Sequence, residues 1–446
     1  MSILNVASDI IKLIKGYGLD AEVVVHEIEK TSISTRHLKL EEISKSKNCI
    51  IGVRAIANKH KSACISFNNF SSLNKIVERV VTMAKSAQED KYLTLALPNQ
   101  FASNTSAVNL NILDKTLITI ENLKEIAQIA ESSALSYHKD ITNSEGAQSS
   151  YSVTDITLMT SNGFFESFSK SVFSNQVAVI AGQEDDMKVG CDYSIACNFD
   201  NLFTPETLGK EAAKRALDQL KPRKVKTCKV PVIFERRAAS ELLKNFAMAI
   251  NGNNVANKTS FLRDSMDKQI FSSEVDIVDD PFVVGGVASK PFDGEGIAGE
   301  KNILVKDGVL KSWILDLYSA QKLGLHTTGN AVRNVNATLS PGASNLYIKN
   351  SNVPPEELMQ DIKAGLYVTD LFGFGVNLIN GNYSQGACGF WISGGKVAYP
   401  VSEVTVAGSL LDIFSNLSVA DDLIFCGAIN SPTVKVGKMT VAGTSI

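Results

Sequence analysis

Apolar positions from Ile3 to about Ile14 recur at helical spacing, and beyond them the period shortens towards two. "AEVVVHEIE" (21–29), "SISTRHLKL" (32–40), "NCIIGVRAIA" (48–57) and "SACISF" (62–67) read as strands. Ser71 and Ser72 then precede "LNKIVERVVTMAKSA", whose spacing is helical again, so residues 1–90 form a first α+β unit. A loop-like stretch, "LPNQFASNTSAVN" (97–109), leads into a second α+β unit over 105–222. That unit has a helix around Leu117 to Leu135, strands from Tyr151 to Phe199, and a closing helix "PETLGKEAAKRALDQL" with Pro205 near its start. Within it, "ITLMTSNGFFESF" predicts a hairpin whose Asn162-Gly163 pair suits a type I′ turn.

From 230 to 446 the pattern becomes short strands between glycine-rich turns, as in the hairpins "NILVKDGVLKSWIL" and "CGFWISGGKVAYPV". One clear helix interrupts it: in "SELLKNFAMAINGNNV", Leu242, Leu243, Phe246, Ala249 and Ile250 keep helical spacing and Asn251-Gly252 signals the stop. The fold class expected is therefore α+β, with two N-terminal α+β units followed by a β-rich antiparallel C-terminal domain.

At 446 residues the chain exceeds what one core can use, in keeping with several domains. With 44 Lys+Arg against 47 Asp+Glu the net charge is −3, which provides no general field for nucleic acid. The basic run "KPRKVKTCK" (221–229) has no aromatic residue for base stacking and reads as a solvated interdomain linker. Seven cysteines without a Cys-x-x-Cys pair indicate neither a disulfide framework nor a zinc ribbon. Asp9 interrupts the apolar N-terminus, which is spaced as a helix and not as an export signal, and no run is long enough to cross a bilayer. The expectation is a soluble, cytoplasmic protein with no membrane and no direct nucleic-acid partner.

Candidate chemistry is sparse. His26-Glu27 lies in a strand pattern with no second histidine at helical spacing, and His37 and His60 fall in strand or turn. Ser384 and Cys388 in "GNYSQGACGFW" are the nearest glycine-flanked nucleophiles, yet tight backbone packing explains those glycines. Asp293, Glu295 and Glu300 in "PFDGEGIAGE" suit acid and base work in principle and turn formation in practice. "GLHTTGNAVR" (324–333) gathers Thr328, Gly329, Asn330 and Arg333 into a loop fit either to hold a backbone or carboxylate or to satisfy itself.

"TTGNAVR", "PFDGEG", "GVLKSWILDLYSAQKLG" and "GNYSQGACGFWISGGKVAYPVSEVTVAG" together resemble the TldD/PmbA family, and within it the PmbA (TldE) branch. The resemblance spans essentially the whole chain and is densest in its last 220 or so residues. It implies a cytosolic protease system in which a TldD-like subunit supplies zinc through His-Glu-x-x-x-His on a helix that follows a strand. By alignment of "VPVIF" and the helix after it, those positions fall on Lys244, Asn245 and Ala249, none of which suits zinc or base chemistry. Cys426 lies near where a TldD chain supplies a late cysteine ligand, and alone it makes a weak metal site, so it is read as structural. The resemblance thus implies a non-catalytic subunit without a metal of its own, its zinc residing in a TldD-like partner. Peptide or unfolded polypeptide is the implied substrate, the loop 328–333 a contact surface, and a homodimer the form of the isolated chain. An autonomous peptidase with an unrecognised site, and a binding protein that modulates a nucleic-acid enzyme, are the competing readings.

Overall fold

In β1 (Asp20–Arg36) Ala21, Val23 and Val25 point to one side of the strand and Glu22, Val24 and His26 to the other, and none is more than 8% exposed. A strand buried on both faces needs a cover on each. The computed structural model, which describes residues 3–58, 60–103, 105, 109–373 and 375–443, shows both covers. Residues 104 and 106–108 of the expected loop lie outside the described residues.

On the odd-numbered face, α1 (Ile3–Gly16) packs Val6, Ile10 and Ile14 against Val23 and Val25. After β2 (Lys39–Ala57) and β3 (Lys61–Phe67), α2 (Leu73–Ser86) joins that layer through Val77 and Val80. α3 (Ile120–Leu135), β4 (Ile141–Thr160), β5 (Phe165–Ala181), β6 (Lys188–Ala196) and α4 (Pro205–Asp218) follow. The strands form one antiparallel sheet in the order β3-β2-β1-β4-β5-β6. The segments 1–90 and 105–222 therefore share a sheet, joined where β1 pairs β4 from Glu22↔Thr160 to Thr35↔Ala147. Farther along, α3 and α4 cover Val177 and Val179 of β5.

Two local expectations change. "SISTRHLKL" is not one strand but the end of β1, a turn and the start of β2, with His37 and Leu38 both at positive φ (51° and 61°). Neither is a glycine or asparagine, so the usual turn signal is missing. The turn is held from outside instead, because the buried Glu131 of α3 accepts from the backbone N–H groups of His37 (2.6 Å) and Leu38 (3.0 Å), from Thr35 Oγ1 (3.0 Å) and from Ser144 Oγ (2.6 Å). At Asn162-Gly163 only the glycine has positive φ (109°), and Gly163 N–H donates to the Thr160 carbonyl at 3.2 Å. That is a type I turn closed by a left-handed glycine, not a type I′ turn.

The remaining elements run β7 (Cys228–Phe234), α5 (Arg236–Ala249), α6 (Gly252–Ala256), β8 (Ile277–Asp280), β9 (Asn302–Lys306), β10 (Val309–Leu310), α7 (Leu317–Leu323), β11 (Ala331–Arg333), β12 (Leu339–Pro341), β13 (Asn345–Ile348) and α8 (Pro355–Met359). β14 (Ala364–Phe372), β15 (Val376–Asn377), β16 (Asn382–Ser393), β17 (Lys396–Ser409), α9 (Leu410–Ser415), β18 (Ser418–Val419), β19 (Ile429–Asn430) and β20 (Val434–Ala442) complete the chain. β14 pairs β7 on one side and β16 on the other, so the run β14-β7-β20-β17-β16 closes into a ring. A second sheet, β10-β9-β8-β13-β19, shares one core with it. The domain is mixed and not purely antiparallel, since β7 runs parallel to β14 and β13 to β19.

The expected helix is present as α5, with Leu242, Leu243, Phe246 and Ala249 facing that core. Phe246 meets the rings of Phe271 and Phe414 edge-on at 5.1 and 5.9 Å. Asp307-Gly308 and Gly394-Gly395 take the paired positive φ values of type I′ turns. No helix among the described residues is long and apolar enough to cross a membrane.

Candidate functional site

Successive residues of a helix advance by about 100°. Arg236, Arg237, Ser240, Glu241 and Lys244 therefore form one polar stripe along α5, opposite the core-facing leucines. This stripe forms one wall of a cleft of about 430 Å³ between the N-terminal sheet and the C-terminal domain. Asp192 and Tyr193 of β6 and Arg215 of α4 face it across the cleft, and Cys426 and Asn430 close one end.

The three positions that the resemblance assigns to zinc chemistry divide here. Lys244 lines the cleft, its ammonium 3.5 Å from Glu241. Asn245 is turned away and donates to the Glu241 carbonyl at 2.9 Å, and Ala249 is fully buried in the core. The cleft's chemistry therefore belongs to Arg237, Ser240 and Glu241 together with Lys244. The four-residue recurrence of polar side chains opposite the leucines was the sequence signal for it.

Its charges are largely paired. Arg237 contacts the Asp192 carboxylate and stacks over the Tyr193 ring at 5.0 Å, while Arg236 lies 3.8 Å from Glu235 and 3.7 Å from Asp422. Burial pushes the Cys426 thiol above its ordinary value, and Arg236 and Arg237 oppose that shift only in part. Zinc requires at least three convergent protein donors, with any thiol ligand ionised. Among the described residues no group of three or more His, Cys, Asp and Glu side chains is placed to hold a metal ion, so the residues present do not fit zinc. The cleft thus presents cations (Arg215, Arg236, Arg237 and Lys244) and carboxylates (Asp192, Glu211 and Glu241) interspersed with hydroxyls and the Asn430 amide.

The loop 328–333 departs from the expected open contact surface, because its side chains are used within the chain. Thr328 Oγ1 accepts from Leu315 N–H at 2.8 Å, Asn330 Nδ2 donates to Asp279 Oδ2 at 2.7 Å, and Gly329 takes the left-handed conformation (φ 67°) that the turn requires. The Arg333 side chain is 3% exposed, with Nη2 2.9 Å from Glu22 Oε2 and Nε donating to the Gly294 carbonyl at 2.6 Å. Arg54 Nη1 binds the same Glu22 oxygen at 2.9 Å. Arg333 is thus a bolt between the C-terminal domain and β1. Glu22 and Arg54 sit in register inside two apolar strands, a pairing of opposite charges that "AEVVV" and "GVRAIA" already contain.

Asp293 and Glu295 are buried turn formers. Asp293 accepts three backbone N–H groups, from Glu295, Ile297 and Ala331, and Glu295 Oε2 accepts from Leu317 N–H at the start of α7. Ser384 and the partly buried Cys388 lie on β16, and burial raises the Cys388 thiol.

Three family models cover the chain in order: the PmbA/TldA metallopeptidase domain 1 over 21–84, the central domain over 114–220 and the C-terminal domain over 227–443. The metalloprotease PmbA of Escherichia coli O157:H7 is 33% identical over 96% of this chain and 94% of its own length. A PmbA homolog from Buchnera aphidicola subsp. Acyrthosiphon pisum is 31% identical over 99% of this chain and 97% of its own. The TldD homolog of the same Buchnera strain is 26% identical over 57% of each chain. The crystal structure of TldE from Thermococcus kodakarensis superimposes with a TM-score of 0.86 at 20% identity, covering 98% of this chain and all of that one, a likeness of fold. With every domain matched in order and relatives above 30% identity along nearly its full length, this chain belongs to the PmbA/TldD metallopeptidase family.

Proposed function

We propose that this chain is a non-catalytic subunit of PmbA/TldE type, which joins a TldD-like zinc subunit in a protease acting on peptides or unfolded polypeptide. Helix α5 carries the reading: where the resemblance puts zinc ligands and base, it has Lys244, Asn245 and Ala249, an ammonium, an amide and a methyl group. An ammonium repels a dication and an amide is a poor base, so the helix supports binding and not hydrolysis. The existence in one family of TldD homologs and of TldE favours the pairing. In this reading the cleft beside α5 forms part of the chamber that holds extended substrate, its cations and amides meeting backbone carbonyls and acidic side chains.

Metal analysis by mass spectrometry and digestion of an unstructured peptide test this on the purified chain. The lone chain is expected to hold no stoichiometric zinc and to leave the peptide intact, and adding a TldD-like subunit should produce chelator-sensitive cleavage. Lys244→Ala, which removes a cleft cation but no catalytic group, should leave the kcat of the combined activity largely unchanged and raise its KM for an acidic peptide. About one tightly held zinc per lone chain, with cleavage that a chelator abolishes, would overturn the proposal.

A further inference from the structure

The even-numbered face of the N-terminal sheet meets the C-terminal domain around a second, separate cavity of about 240 Å³. Its floor follows from register: His26, Ile156 and Phe168 are consecutive cross-strand partners on β1, β4 and β5, and Val24 pairs Leu158 in the next row. Its roof is Phe292, whose ring meets Phe168 edge-on at 5.3 Å, and Val332 of β11, 36% exposed, stands at its mouth.

Against this apolar lining the polar groups are few and under-used. His26 is 8% exposed, and its Nε2 is buried without a hydrogen-bond partner. Lys290 lines the cavity and spends one N–H on the Ala331 carbonyl at 3.1 Å. Lys170, two residues along β5 from Phe168, donates to the Val287 carbonyl. Among the described residues neither amine forms an ion pair. Arg333 and Asp293 complete the group, Arg333 Nη2 lying beside Glu22 without the alignment of a hydrogen bond and the Asp293 carboxylate already accepting three backbone N–H groups. A partly buried ammonium with no carboxylate in ion-pair contact, next to an unpartnered buried imidazole, is costly unless something else satisfies both.

We infer that this cavity is a binding site for a small carboxylic acid with an apolar body, the carboxylate lying between Lys290 Nζ and His26 Nε2 and the body between Phe168, Phe292 and Leu158. A cavity of roughly 150 Å³ holds benzene, so the space here suits a ring or branched chain with a short acidic arm. The electrostatics agree: burial lowers Lys290, countered in part by Asp293 and Asp279, and burial with the nearby Arg333 charge lowers His26, so an entering anion would relieve the first and accept a hydrogen bond from the second. The same chemistry exists at the C-terminus of a peptide ending in an apolar residue. Because the cavity lies between the domains, an occupant would also tie the N-terminal sheet to the C-terminal domain.

Calorimetric titration of the full chain with 3-phenylpropanoate, 3-phenylpropanol and the tripeptide Gly-Gly-Phe tests the site. The acid is expected to bind saturably in about the millimolar range, with the alcohol weaker by about tenfold or more. Lys290→Met, which keeps the bulk of the side chain, should erase that preference, and Ala343→Leu, which fills the cavity, should abolish binding of both. Binding of the tripeptide as tight as that of the acid would identify a chain end as the occupant, and failure of the tripeptide alone would identify a free acid. The inference is overturned by absence of saturation with the acid at about 10 mM, by equal binding of acid and alcohol, or by an undiminished acid preference in Lys290→Met.

Discussion

Arg333 and Glu22 form a contact whose value depends on both being dry. Burial alone would raise Glu22, but Arg333 and Arg54 outweigh it and hold the carboxyl below its usual range. Breaking a buried pair leaves an uncompensated charge, so Arg333→Ala should cost about 3–5 kcal/mol and lower the thermal midpoint. An unchanged midpoint would instead make the residue a recognition group. Glu295 acts with the opposite sign. Burial, with Asp293 and Asp316 nearby, pushes its carboxyl well above the usual range. A folded-state value raised in this way means stability that is present below the unfolded value, about 4.3, and lost as pH rises towards the folded one. Glu295→Gln can still accept the Leu317 N–H but does not titrate. Its urea midpoint should match that of the natural protein near pH 4 and exceed it increasingly through pH 6 and 8. A difference independent of pH would show that folding does not raise the Glu295 carboxyl.

At the scale of elements, the turn between β1 and β2 joins two strands of 17 and 19 residues without a turn residue of its own. Glu131 supplies what the local sequence lacks, so Glu131→Gln, which sets an amide against a backbone N–H, should cost about 1–3 kcal/mol. Faster amide exchange at His37 and Leu38 is the specific reading, and protection equal to that of the natural protein would leave the turn self-supporting. This turn also shows where sequence reasoning stops. The helices at 3–16, 73–86, 205–218 and 236–249, and the turns at Asp307-Gly308 and Gly394-Gly395, follow from period and local φ preference, which neighbouring residues reveal. The His37-Leu38 turn depends on a carboxylate more than 90 residues away, and the single sheet spanning the first two segments depends on a β1–β4 pairing across a still larger separation, as from Glu22 to Thr160. The polar stripe of α5 could be read from its spacing, whereas its opposite wall, Asp192 and Arg215, comes from other elements. Arg333 was visible as a cation in a polar loop, but its acceptor, Glu22, lies at the other end of the chain.

Across the whole molecule, the N-terminal sheet and C-terminal domain meet through the Phe164, Phe168 and Phe292 rings, the Glu22–Arg333 pair and the loop between β11 and β12, which presses on Gly52. A Cβ at Gly52 would lie 2.7 Å from the Val335 carbonyl oxygen, so that approach requires glycine. Phe292 stands at the centre, with Phe164 at 5.2 Å and Phe168 at 5.3 Å. With these contacts intact neither half gains by unfolding alone, and calorimetry should show one transition. Phe292→Ala removes about 3–5 kcal/mol, and it removes it from the contact between halves and not from either core. The single transition should therefore broaden or divide, with the van't Hoff enthalpy falling below the calorimetric one. Phe246→Ala is the control, because that ring packs against Phe271 and Phe414 inside the C-terminal core. Its loss is of similar size but should weaken the C-terminal core itself. If Phe292→Ala merely shifts one sharp transition downward, the halves are joined chiefly by the buried charges. Arg333→Ala should then be the variant that separates them.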